Sequence, residues 1–159
     1  MKHSHNEHQH HSMKSPYKQL VVMTVVHLVI MYVAMFAMIN RGAYFYNNTN
    51  MLYMAVLMAA PVTLFMLVSM RHMYPNRKLN IIIGIIFLLL TIGSYGAIRA
   101  QTGVGDKQFL RAMIPHHSGA ILMCREADIT DQEISGLCKE IIDGQQREID
   151  QMESMLKRL

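Results

Sequence analysis

Three uninterrupted apolar runs constrain this chain more than any other feature: about Gln19–Ile39, Met51–Met70 and Leu79–Ile98, none containing Asp, Glu, Lys or Arg. A helix of roughly 20 residues crosses the ~30 Å hydrocarbon core of a bilayer. The runs therefore predict three transmembrane helices in residues 19–98 of an all-α chain. Charged residues make up only 16% of the sequence, against roughly 25% in a soluble domain. A secretory signal peptide is not expected, because the first run is too long and no small-residue cleavage site follows it.

The net charge of +4 is unevenly divided. Residues 1–98 carry seven Lys/Arg against Glu7 alone, whereas residues 99–159 carry eight basic and ten acidic residues. Basic residues beside apolar spans suit the inner flanks of a membrane protein, and an acidic C-terminal segment repels nucleic acid, so the expected partner is the lipid bilayer and not a nucleic acid. Lys2, Lys14 and Lys18 precede the first span, and Arg71, Arg77 and Lys78 lie between the second and third, while Arg41 is alone between the first and second. This bias predicts a multi-pass inner-membrane protein with a cytoplasmic N-terminus and residues 99–159 on the periplasmic side. Residues 1–18 read as a polar, disordered, His-rich cytoplasmic tail.

Residues 99–159 read as a helical hairpin. Thr102-Gly103-Val104-Gly105 breaks the chain after the third span. A first helix is expected from about Asp106 to Ala127, kinked or restarted at Pro115, and Pro61 is expected to kink the second span in the same way. Thr130 and Glu133 have capping-box spacing and would start a second helix that runs to the C-terminus. Apolar residues recur at helical spacing in both, and the short connection makes the helices antiparallel neighbours. Facing Cys124 with Cys138 sets His117 opposite Gln145, which could orient the imidazole. Two such helices bury little surface alone, so two hairpins are expected to pair into a four-helix bundle, as a homo-oligomer or with a partner protein.

The segment Phe109–Cys124, FLRAMIPHHSGAILMC, holds the densest chemistry. Met113, His116, His117, Met123 and Cys124 are nitrogen and sulfur donors of the kind copper(I) prefers. Adjacent helical residues point about 100° apart, so one ion does not easily take both histidines from one helix. The bland alternative is one hydrogen-bonded core histidine and one surface histidine. Cys124 and Cys138 could form a disulfide outside the cytoplasm, bind copper(I) as thiolates, or pack as small hydrophobes. His3, His5, His8, His10 and His11 form a tract that binds metal loosely or is simply solvated. Within the spans, Met23, His27, Met31, Met35 and Met38 share one face, as do Met51, Met54, Met58, Met66, Met70 and Met73. These could relay copper(I) through the membrane or only pack helices together, and His27 is a functional hint by default. Gly93 and Ala97 offer a small-residue packing face in the third span.

FLRAMIPHHSGAI, followed by LCKEII and GQQREI, resembles the CopM-like family, small His/Met-rich proteins that share a domain first catalogued as one of unknown function. The resemblance covers about Asp106 to Leu159. It implies a ferritin-like helical hairpin or bundle that binds copper through His and Met, and it points to Met113, His116 and His117, with Met123 and Met152 in support. The three spans with MxxxM motifs also look like the Ctr-type copper transporters, which work as trimers.

No Glu-x-x-His, His-Glu-x-x-His or phosphate-loop motif is present, so neither enzyme chemistry nor an organic cofactor is expected. The leading expectation is a membrane-anchored protein that sequesters or delivers copper outside the cytoplasm. The rivals are a Met-lined oligomeric transporter and a metal-free membrane assembly module.

Overall fold

In the computed structural model, which describes residues 16–159, the chain forms five α-helices, with no strand among the described residues. α1 spans Pro16–Ala34, α2 Thr49–Ser69 and α3 Arg77–Ala100; α4 spans Asp106–Glu126 and α5 Gln132–Arg158. The first three are long and apolar enough to cross a membrane. Val21, Val25, Val29, Ile82 and Leu89 are among the large apolar residues they expose, an outer surface suited to lipid.

α2 packs against both α1 and α3. Its inward face is made of small residues, with Ala55, Ala59, Ala60 and Thr63 buried, so neighbouring backbones can approach closely, the usual means of helix association in lipid. Thr24 of α1 and Thr63 bring their hydroxyls to 3.1 Å within this interface. The small-residue face expected at Gly93 and Ala97 is not used in this way. Gly93 is exposed, with open space where a Cβ would stand, and the buried residue is Ser94. One residue is a 100° turn, so α3 presents a different face to α2.

The first span begins and ends earlier than expected. Residues 16–18 are already helical, and the α-helix stops at Ala34. Beyond it, Phe36 N–H and Ala37 N–H donate to the carbonyls three residues back, Val33 and Ala34. This tighter winding carries the buried Phe36 ring onto Phe45, with centroids 4.1 Å apart. Aromatic packing therefore ends the helix where hydropathy alone would continue it.

α4 and α5 form the antiparallel hairpin. Leu110, Ile114, Ile121, Ile149 and Met152 make its buried core. Cys124 and Cys138 are joined as a disulfide with Cα atoms 5.3 Å apart, and no described cysteine is free. The cap of α5 differs from the expected box: Asp131, not Thr130, accepts from Glu133 N–H and Ile134 N–H at 2.9 and 3.0 Å. A carboxylate there also meets the positive end of the helix dipole.

Neither internal proline interrupts its helix. Pro115 has no N–H to give the carbonyl of Arg111, four residues back. Asn48 fills that vacancy, its Nδ2 donating to Arg111 O at 3.3 Å while its Oδ1 accepts from Met51 N–H to cap α2. One buried side chain thus starts α2 and ties α4 to it.

The connection between α1 and α2 is the seat of the hairpin. Tyr44 is buried in the hairpin core and Tyr46 packs against it. Gln146 Nε2 donates to Tyr44 Oη at 3.2 Å, and Tyr46 Oη donates to Glu153 Oε1 at 3.2 Å. Burial, with Glu153 beside it, raises the Tyr46 pKa and keeps that phenol protonated as a donor. The chain itself therefore supplies part of the cover that a lone hairpin lacks, while Phe109, Ile134 and Leu137 stay exposed.

Asn40 and the fully buried Ser118 form a reciprocal polar joint: Asn40 N–H donates to Ser118 Oγ at 2.8 Å, and Ser118 Oγ donates to Asn40 Oδ1 at 2.7 Å. Ser118→Ala strips both partners from Asn40 in a buried place, and a cost of about 1–3 kcal/mol is expected. Denaturant melts of parent and variant in the same detergent check this; an unchanged midpoint would show that the joint contributes nothing.

Candidate metal centre

Helix α4 turns its two histidines in different directions. The imidazole centroids lie 5.9 Å apart with their planes at 60°. His116 is exposed and borders a cleft of about 540 Å³ between α4 and the hairpin-facing ends of α1 and α2. His117 is half-buried toward α5, its Nδ1 2.9 Å from Glu148 Oε2. That contact lies off the line of an N–H···O hydrogen bond, so Nδ1 keeps no hydrogen-bond partner. Burial lowers the His117 pKa, helped by His116 and partly opposed by Glu148, so its imidazole is neutral at neutral pH.

Glu148, and not Gln145, is thus the residue that meets His117. Helical side chains lean toward the N-terminus of their own helix. On α4 that direction is away from the hairpin turn, and on α5 it is toward it. His117 therefore reaches a partner farther along α5 than a level pairing allows. Gln145 is half-buried and makes no side-chain hydrogen bond among those found for the described residues.

The cleft gathers sulfur. Met113 and Met123 of α4 line it with His116, and opposite them stand Met35 and Met38 from the segment just after α1 and Met51 and Met54 from the start of α2. No Asp, Glu or Cys lines it. Among the described residues no three His, Cys, Asp or Glu side chains converge, so a hard or borderline cation is offered no cluster of its usual ligands. The side chains that do line it, six methionines and one histidine, are of the thioether and imidazole types that suit soft ions.

The remaining expected donors are dispersed. Met152 is part of the apolar hairpin core beside Ile114, Ile121 and Ile149, where its thioether serves as packing. Met23, Met58 and Met70 are exposed on the outer surface of the spans, and Met31 and Met66 are half-buried. His27 is half-buried in α1, with its Nε2 buried and unpartnered. The disulfide borders a second groove that shares Met38 and Met123 with the cleft. His3, His5, His8, His10 and His11 lie outside the described residues.

Sequence reasoning had no means of joining Met38 and Met51 to the hairpin histidine, because the contact spans the chain. The usable signal was indirect: Tyr44, Tyr46 and Asn48 are aromatic and capping residues in a short connection that a solvated loop would not need.

Residues 96–156 match the family described as Domain of unknown function (DUF305). An uncharacterized protein of Acanthamoeba polyphaga mimivirus, L153, is 36% identical over 111 residues, which cover 69% of this chain and 71% of that protein. The chain belongs to the DUF305 family. The likeness to L153 is longer than the DUF305 region itself, so it reaches into the apolar helices that precede the hairpin. No solved structure matches the chain.

Proposed function

We propose that this DUF305 protein is a membrane-anchored copper-binding protein that holds copper(I) outside the cytoplasm, for sequestration or delivery, with the hairpin residues His116, Met113 and Met123 as donors. The observation that supports this most is the opening of all three onto one cleft that no carboxylate lines. Neutral thioether and imidazole ligands bind a soft cation without placing a second charge at the edge of an apolar region. The CopM-like resemblance of FLRAMIPHHSGAI points the same way. His117 faces α5 and Glu148, away from the cleft, and is not a donor in this reading. A sulfur relay along the spans has less support, since Met23, Met58 and Met70 do not line this cleft.

The test is a copper(I) competition titration of the full chain in detergent against a chromogenic chelator. The background carries His3→Ser, His5→Ser, His8→Ser, His10→Ser and His11→Ser, so that the tail does not mask the cleft. Combining His116→Ala with Met113→Leu is expected to weaken binding at least tenfold, about 1.4 kcal/mol or more. Parental affinity in that variant would overturn the reading.

A further inference from the structure

In the sequence the methionines of the first two spans are a membrane feature, and those of α4 belong to a separate hairpin. The fold places both sets on one cleft. We propose a composite copper(I) site, in which thioethers drawn from Met35, Met38, Met51 and Met54 of the membrane unit complete the coordination begun by His116 and Met113. This rests on the copper-binding reading above and adds to it that the hairpin alone is only half a site.

Local structure brings each sulfur to the cleft. Met51 and Met54 are three residues apart in the first turns of α2, on one face of that helix, and Asn48 holds the helix start against α4 by capping Met51 N–H and donating to Arg111 O. Met35 and Met38 follow the α-helical part of α1, where the tighter winding turns the chain toward α4. There the backbone of α4 comes close: a Cβ at Gly119 would stand 3.6 Å from the Met38 carbonyl oxygen. Two residues on, Asn40 is bonded to the buried Ser118 at 2.8 and 2.7 Å. Hydrogen bonds therefore hold the two walls together on both flanks of the cleft before the ion arrives. Fixing the walls in this way lowers the ordering cost of binding.

Packing is the rival explanation, because methionine fills irregular apolar gaps well. Leucine separates the two, since it keeps the apolar volume and removes the sulfur. In the full chain in detergent, with the five tail histidines replaced by serine, Met35→Leu, Met38→Leu, Met51→Leu and Met54→Leu are combined and compared with the His116→Ala, Met113→Leu variant. The expected result is a loss of copper(I) affinity of at least tenfold in both. X-ray absorption at the copper edge of the parent should show a sulfur shell larger than the two hairpin methionines can supply, and that measurement stands even if the quadruple variant does not fold. Parental affinity in the quadruple variant, with loss in the other, would overturn the composite site and leave the hairpin reading intact. Parental affinity in both would overturn the two together.

Discussion

Truncating Ile121 to alanine is expected to destabilise the hairpin by about 2–5 kcal/mol. Ile121, Ile114 and Ile149 are all fully buried, the first two on α4 and the third on α5, and they form the centre of the apolar core these helices share with Tyr44. The removed atoms forfeit their transfer free energy, and the space they leave can close only partly, because the disulfide at one end and the Asn40–Ser118 joint restrain the helices. Ile121→Val should cost about 0.5–1.5 kcal/mol. Ile134→Ala, at a residue 50% exposed, should stay within about 0.5 kcal/mol of the parent. Hydrogen exchange at the amides of α4 and α5 reads this locally. Equal protection in Ile121→Ala and Ile134→Ala would mean that this core does not hold the hairpin.

Opening the Cys124–Cys138 bridge is expected to cost about 3 kcal/mol, the chain-entropy value for a loop of about 15 residues; the two positions are 14 apart in sequence. The bridge staples the turn end of the hairpin, whereas the buried core lies farther down. Reduction, or Cys124→Ser with Cys138→Ser, should therefore fray the last turn of α4 and the first of α5 before the rest. Denaturant melts of the oxidised and reduced protein give the size of the effect, and limited proteolysis gives its place. A reduced protein with the parental midpoint and no new cleavage near residues 127–131 would contradict this account.

Much of the architecture was legible in the sequence for reasons of length and period. Uncharged runs near twenty residues admit few folds other than spanning helices, and α1, α2 and α3 lie where those runs do. The hairpin followed from a 3.6-residue period in both of its halves, whereas the disulfide was one of three readings open for Cys124 and Cys138, and the structure selects it. The errors cluster where a neighbour decides. α1 stops early because Phe36 packs on Phe45. Pro115 does not break α4, and Asn48 takes the carbonyl that the proline leaves free. Asp131 takes the cap that Thr130 was expected to supply, its carboxylate reaching two N–H groups. The first two outcomes depend on a group beyond the local segment, while the cap is a choice between two adjacent residues.

The candidate site divides in the same way. Sequence alone determined the chemistry on offer: soft neutral donors concentrated around MIPHH and along two apolar runs, with no catalytic motif beside them. It also determined that His116 and His117 cannot point together, since a helix turns about 100° per residue. Only the tertiary structure decided which histidine meets the other methionines. α4 docks on the α1–α2 connection through Asn40, Asn48 and Tyr44, which leaves His116 over the sulfur-lined cleft and His117 against Glu148. The same docking buries Met152 in apolar packing and joins Met38 and Met51 to the hairpin. Periodicity specifies the face a residue occupies on its own helix, but the surface met by that face is set by contacts between segments far apart in the chain.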